Sequence, residues 1–206
     1  MIMLRTTRHL LLALLLIALP AAALAQCSTG VTNDVASGGA VFGLRWDGLR
    51  LSAGQSITLD CDSRVLTASF LLQTDLGDHP LGVPYLNMGD TLFVDLVDQA
   101  LDVRTTGIGV VQHETGMGWV TAEFAGTDAN VPAGEYLLGA RVTVDKVSTV
   151  GTTDDLVDGI RYFYVPGGTT WGTPSSTSDC NVTATWEEHT VAAERMSFGA
   201  VKAGYR

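Results

Sequence analysis

The chain has 206 residues, of which 22 are Asp or Glu and 12 are Lys or Arg, so its formal net charge is -10. This acidic balance argues against nucleic acid as a partner, because a polyanion would be repelled. Hydrophobic residues make up 46% of the chain and charged residues 17%, a composition typical of a packed globular domain rather than a disordered one. At this length we expect a single core.

The N-terminal segment, residues 1–25, has the pattern of a secretory signal peptide. Arg5 and Arg8 precede the apolar run LLLALLLIALP. That run is shorter than the roughly 20 apolar residues of a transmembrane helix, and Ala23 and Ala25 supply the A-x-A pattern of a cleavage site. We therefore predict cleavage after Ala25 and a secreted protein, extracellular or periplasmic, with no transmembrane segment in the mature chain. An uncleaved membrane anchor is the alternative.

Cys27, Cys61 and Cys180 follow the predicted cleavage site. In an oxidising compartment these cysteines are expected to form a disulfide rather than a metal site, since the chain has no short cysteine pair of the kind that zinc sites use. We predict that Cys61 pairs with Cys180 and that Cys27 is left over. A pairing of Cys27 with either of the others stays open, because sequence alone does not assign connectivity.

Nearly every apolar segment after residue 40 alternates with period two and is bounded by Gly, Pro, Asp or Asn, which predicts half-buried strands. In RVLTASFLL the predicted core face contains Leu66, Ala68, Phe70 and Leu72. In GWVTAEF it contains Val120, Ala122 and Phe124, and in EYLLGARVTVD it contains Tyr136, Leu138, Ala140, Val142 and Val144. The opposite face of each strand is predicted to be solvated.

About ten such strands, separated by Gly-, Pro- and Asp-rich turns, predict an all-β fold: an antiparallel two-sheet, jelly-roll-like β-sandwich. We assign residues 1–25 to the signal peptide, residues 26–40 to an N-terminal extension and residues 41–206 to a single sandwich domain. No internal repeat is visible, which argues against a propeller or a solenoid.

A resemblance to known proteins is carried by the order of these segments: AGQSITLDC, RVLTASFLL, GDTLFVDLVD, GWVTAEF, VPAGEYLLGARV and ERMSFGAV. This order resembles that of the jelly-roll sandwich modules of secreted bacterial surface proteins, which are grouped with galactose-binding-like or carbohydrate-binding modules. The resemblance covers roughly residues 50–201. It implies the fold, and it carries over no ligand residue, because it lies in core strands.

Five aromatic residues are the candidate ligand-binding residues. Tryptophan and tyrosine stack on sugar rings, whose C–H groups meet the negative face of the aromatic system. The candidates are Trp171, Tyr162, Tyr164, Trp46 and Trp119. Trp171 is the strongest of them, because its segment PGGTTWGTPSS has no apolar period that would assign it to the core. Packing in the core is the alternative for each of them.

The acidic loop GTTDDLVDG is the candidate metal site. Asp154, Asp155 and Asp158 offer the hard oxygen ligands that Ca²⁺ prefers, and Asp128 and Asn130 offer a second such turn. Neither turn has the spacing of an EF-hand, and a solvated Asp-rich turn is the alternative. A structural Ca²⁺ is the single cofactor that we consider.

The sequence gives little support to catalysis. A glycan hydrolase needs two carboxylates across a cleft, and nothing pairs Glu114, Glu123, Glu187 or Glu188. Known nucleophile, zinc and phosphate-binding motifs are lacking. A glycosylation sequon begins at Asn181.

We therefore expect a secreted, non-catalytic module for carbohydrate binding or adhesion, with a neutral glycan or another cell-surface polymer as its partner. The first alternative is a structural subunit of the cell surface or matrix that contacts other proteins. The second is a small glycan-active hydrolase or lyase.

Overall fold

A computed structural model describes residues 27–34, 38–43, 45–46, 49–50, 52–80, 82–142, 146–153, 159–175 and 178–189. Residues 1–25, predicted to be a signal peptide, lie outside these ranges. The strands, in chain order, are β1 (Gly30–Asn33), β2 (Gly38–Phe42), β3 (Arg45–Trp46), β4 (Leu49–Arg50), β5 (Ser52–Leu59), β6 (Ser63–Thr74), β7 (Thr91–Val97), β8 (Val103–Val110), β9 (Gly116–Glu123), β10 (Asn130–Val131), β11 (Gly134–Arg141), β12 (Ser148–Thr153), β13 (Arg161–Tyr164), β14 (Gly172–Ser175), β15 (Asp179–Cys180) and β16 (Val182–Glu188).

The strands form an antiparallel sandwich. One layer has the order β1-β16-β6-β9, and the other has the order β8-β7-β11-β5-β13-β14. A single residue pair, Ile108 with Glu123, joins the layers at the corner between β8 and β9. Strand β12 pairs with β6 and also with β2 and β15. The predicted all-β antiparallel sandwich is confirmed.

The inward faces of both layers share one core. Phe70, Leu72 and Val120 from the first layer pack in the same buried cluster as Leu96 and Leu138 from the second. The alternation predicted for β9 is confirmed, since Val120, Ala122 and the following Phe124 are all buried. Burial of this apolar surface is the main stabilising term of the fold.

The prediction for β6 is right for its second half and wrong at its start. Ala68, Phe70 and Leu72 are buried, but Leu66 is only half-buried and Val65 takes its place in the core. The cause is a β-bulge: Thr185 of β16 pairs with Thr67 while Trp186 pairs with Val65. An extra residue in one strand reverses the inward and outward faces on either side of it.

The middle of strand β11 is buried on both faces. Its predicted core residues Tyr136, Leu138 and Ala140 are buried, and so is Leu137 on the opposite face. Leu137 packs with Val97 and Tyr164 in a second, smaller cluster on the outer side of the sheet, against which Tyr162 and Trp171 rest. The prediction that this outer face is solvated is therefore wrong at Leu137 and Gly139, which are buried.

The predicted disulfide between Cys61 and Cys180 is also wrong. The structure pairs Cys27 with Cys61, with the two Cα atoms 5.9 Å apart, and leaves Cys180 as a buried free thiol. The reason is the direction of β16, which begins beside Asn33 and Phe70 and ends beside Ser63. Cys180 precedes the start of β16, whereas Cys61 and Cys27 both lie near its end, roughly 20 Å away at about 3.4 Å per residue.

The segment predicted as an N-terminal extension, residues 26–40, contributes to the sheet. Strand β1 pairs with β16 along its whole length, and β2 pairs with β12. Within the described ranges, no helix is long and apolar enough to cross a membrane.

Candidate functional site

A groove opens on the outer side of the second layer, between the β7–β8 turn and the β13–β14 hairpin. Its volume is about 360 Å³, which falls in the range typical of small-molecule sites. We call it the Trp171 groove and define it by its lining residues: Gln99, Leu101, Glu135, Tyr162, Thr169, Thr170, Trp171 and Gly172.

Trp171 is fixed in place by two contacts. Its indole Nε1 donates a hydrogen bond of 2.8 Å to the backbone oxygen of Asp98 in the β7–β8 turn. Its ring meets that of Tyr162 edge-on, with centroids 5.5 Å apart and an interplanar angle of 87°. The two rings therefore form two walls at a right angle, an arrangement that aromatic quadrupoles favour.

The β7–β8 turn forms the wall across from Trp171, and it contains a strained residue. Leu101 has a φ of 72°, in the left-handed region where side chains with a Cβ are disfavoured by about 1–3 kcal/mol. The turn is closed by hydrogen bonds from the Leu101 amide to the Asp98 oxygen and from the Asp102 amide to the Asp98 carboxylate. This closure holds an apolar side chain at the edge of the groove, where glycine or asparagine would be the usual choice.

Glu135 and Gln99 supply polar groups to the groove. The Gln99 amide donates a 3.0 Å hydrogen bond to Oε2 of Glu135. Both residues also line an adjoining depression of about 230 Å³, together with Asp98, Ala100, Gly134 and Tyr136. Burial, and after it the charge of Glu135, raise the pKa of Tyr162. The carboxylate of Glu135 is therefore close enough for its negative charge to disfavour ionisation of the Tyr162 hydroxyl.

A buried network supports the groove from below. Tyr164 is only 3% exposed, and its hydroxyl donates to Asp95 at 3.4 Å. Asp95 also accepts hydrogen bonds from Arg141, at 2.7 and 3.1 Å, and from Thr106 at 2.8 Å. Burial, followed by the charge of Asp95, raises the pKa of Tyr164. The network ties together four strands of the layer that carries the groove.

The structure brings together two of the five aromatic candidates, Trp171 and Tyr162. Tyr164 is buried beneath them, so it supports the groove and offers no surface to a ligand. Trp119 lies in the first layer, opposite Leu71, and is 39% exposed. Trp46 belongs to the two-residue strand β3, and its side chain lies outside the described part of the structure.

Sequence reasoning missed Gln99, Leu101, Glu135 and Thr170 as groove residues. The signal for two of them was available: the turn Asp98–Asp102 lies between two predicted strands, and turns at the ends of strands form the walls of many sites. Glu135 gave no such signal, because only the register of β11 against β5 and β7 shows which residues lie beside it.

The predicted calcium ligands Asp154, Asp155 and Asp158 lie outside the described residues, and calcium binding stays a prediction. Among the described residues, no group of three His, Cys, Asp or Glu side chains could hold a metal ion. The described lining of the Trp171 groove contains one carboxylate, Glu135, whereas glycoside hydrolysis ordinarily needs two.

The sequon asparagine has no access to a glycosylating enzyme in the folded chain. Asn181 is fully buried, and its side-chain nitrogen donates to the backbone oxygen of Asn33 at 3.2 Å. The Asn33 side chain in turn donates to the backbone oxygen of Cys180 at 2.8 Å. The two asparagines therefore act in the core, where they join β1 to the start of β16.

A comparison with protein-family models finds none that matches the chain, and a comparison with curated proteins finds no match either. The part of the resemblance to secreted surface modules that the structure supports is the coarser one, an all-β antiparallel sandwich.

Proposed function

We propose that this chain is a secreted, non-catalytic module that binds a carbohydrate in the Trp171 groove. The observation that carries the proposal is the pair of rings, Trp171 and Tyr162, that stand at a right angle in a groove with polar groups along its edge. Sugars present apolar C–H faces and a ring of hydroxyls, so they need aromatic surface and hydrogen-bonding groups together. Gln99 and Thr170 provide the second kind of group.

The fixed position of the Trp171 ring supports a role in ligand binding in addition to its role in packing. A ring that is already ordered loses little side-chain entropy when a ligand stacks on it, which improves affinity for a given contact area. The hydrogen bond from Trp171 to Asp98 and the underlying Val97, Leu137 and Tyr164 order this ring before any ligand arrives. Secretion, the other part of the proposal, is supported by the signal-peptide pattern and by a disulfide, which is typical of oxidising compartments.

The test is calorimetry on a panel of soluble neutral oligosaccharides. We expect a Kd between millimolar and micromolar, which corresponds to roughly -4 to -8 kcal/mol, for at least one of them. Gln99→Ala should weaken that binding, and because Gln99 is exposed its loss should change the free energy of unfolding by less than about 0.5 kcal/mol. Trp119→Ala, which removes an exposed tryptophan from the other layer, is the matched control and should bind like the wild type.

Two results would overturn the proposal. One is a panel on which no carbohydrate binds. The other is binding that survives Gln99→Ala and Trp171→Ala but disappears in Trp119→Ala, which would move the site to the first layer.

A second candidate function, a structural subunit that contacts other proteins, is favoured by a different observation. Strands β8 and β9 expose five large apolar side chains: Val103, Ile108, Val110, Met117 and Trp119. Exposed apolar surface of this kind is common at protein interfaces. If no glycan binds, chemical cross-linking on intact cells followed by mass spectrometry is the measurement that tests this alternative.

A further inference from the structure

Glu135 stands out among the charged groups of the groove region because its charge is not compensated. The neighbouring carboxylate of Asp98 lies 3.6 Å from Arg104 and also accepts the backbone amide of Asp102. Glu135 accepts one hydrogen bond, from the neutral amide of Gln99. Among the described residues, no lysine or arginine lies within salt-bridge distance of it. The groove therefore contains one carboxylate whose second oxygen has no partner in the described part of the chain.

The aromatic walls of the groove would attract a cation, as the carboxylate of Glu135 would. An ammonium group is attracted both to a carboxylate and to the face of a tryptophan or tyrosine ring. The Trp171 groove has both elements, with two rings at 87° to each other and Glu135 in the same lining. The effect of Glu135 on the pKa of Tyr162, second to that of burial, is consistent with this proximity.

We propose that the Trp171 groove selects amino sugars with a free, protonated amine, such as glucosamine oligomers, over their N-acetylated and neutral counterparts. The inference rests on the proposed function, since it names the sugar class that the same groove prefers. Glu135 is the specificity-determining residue. Because Glu135 lines both the groove and the adjoining depression, an oligomer with rings in both places can present an amine to it from either side.

The experiment compares three oligosaccharides of equal length and linkage: a glucosamine oligomer, its N-acetylated form and the glucose oligomer. Calorimetry at pH 6, where the amine is protonated, should show about fivefold tighter binding of the glucosamine oligomer, the size of one partly exposed ion pair. Because such an interaction is screened by ions, the preference should shrink at 1 M NaCl.

Two substitutions separate a local from a global charge effect. Glu135→Gln should abolish the preference, so that the glucosamine oligomer binds no more tightly than the glucose oligomer does to the same variant. Glu114→Gln removes an equal charge from an exposed glutamate after β8 and should keep the preference. An equal loss of preference in both variants would overturn the inference, because it would assign the selectivity to net charge.

The outcomes also separate this inference from the proposed function. If the wild type binds the glucose oligomer and shows no preference for the amine, the inference fails and the carbohydrate-binding function stands. If none of the three oligomers binds, the inference fails, and the panel of neutral oligosaccharides decides separately whether the carbohydrate-binding function stands.

Discussion

Gly139 lies in the middle of β11, directly beneath the ring of Tyr164. A Cβ atom at this position would come within 2.5 Å of both Cδ1 and Cε1 of that ring, whereas carbon atoms in contact are normally about 3.5–4.0 Å apart. In Gly139→Ala the ring would therefore have to move by about 1 Å. Tyr164 has little freedom to do so, because it is buried, packs on Val97 and Leu137 and is hydrogen-bonded to Asp95.

Two opposing effects determine how Gly139→Ala changes the free energy of unfolding. Overpacking of this kind costs about 1–3 kcal/mol, and replacement of a strand glycine by alanine returns about 0.5–1 kcal/mol. A net loss of about 1–2 kcal/mol should lower the Tm by roughly 2–8 °C for a chain of this size. Because Tyr164 supports Trp171 and Tyr162, Gly139→Ala should also weaken oligosaccharide binding. Circular dichroism during heating and calorimetry of binding are the two measurements.

Gly77→Ala is the matched control for Gly139→Ala. Gly77 has no atom within 4 Å of its would-be Cβ and no left-handed φ, so the same substitution should leave the Tm unchanged or raise it slightly. If Gly139→Ala melts at the same temperature as Gly77→Ala, Tyr164 is not packed on β11 as described. Tyr164 would then not be the residue that supports the groove.

Two further predictions concern buried polar groups. Cys180 should resist iodoacetamide in the native protein, and peptide mapping should show Cys27 joined to Cys61. Burial raises the pKa of Cys180 from 9.0 to about 12, so the unfolded thiol loses its proton first. The contribution of this thiol to the free energy of unfolding should therefore be constant below pH 9 and decline between pH 9 and 12. The free energy of unfolding of Cys180→Ala, which lacks the thiol, should decline less steeply over the same range. Asp95→Ala should lower the free energy of unfolding by about 2 kcal/mol in urea denaturation, because the buried hydroxyl of Tyr164 loses its acceptor and the partly exposed Arg141 loses its ion pair. An effect below about 0.5 kcal/mol would contradict this network.

The features that could be predicted from the sequence are those that depend on one strand at a time. Strand β9 shows this: the alternation of Val120 and Ala122 with polar residues depends only on the pleat, and both residues are buried. The bulge near Leu66 needs knowledge of the partner strand, because Thr185 and Trp186 of β16 define it. Prediction of the disulfide also requires the direction of β16, because that direction decides which of the three cysteines lie close together.

The residues of the candidate site also differ in whether the sequence of their own segment is enough to identify them. Trp171 could be identified because its segment lacks an apolar period, and Tyr162 because it is an aromatic residue in a strand. Glu135 could not be identified, because it reaches the groove only through the pairing of β11 with β7, in which Leu137 lies opposite Val97. The sequon shows the converse: Asn181 has the sequence of a modification site, and tertiary structure gives it a place in the core.

Trp171 also shows why packing and ligand binding are not exclusive alternatives for an aromatic residue. Its lower side rests on the cluster of Val97, Leu137 and Tyr164, and its Nε1 is held by Asp98, yet the ring still lines a groove. The contacts that stabilise the fold are therefore the same contacts that, under the proposed function, order the ring before a ligand binds. It follows that substitution of Trp171 changes stability and affinity together, so a loss of binding in Trp171→Ala alone says little. Gln99 and Glu135 are exposed and contribute little to the core, so they are the positions at which affinity and stability can be separated.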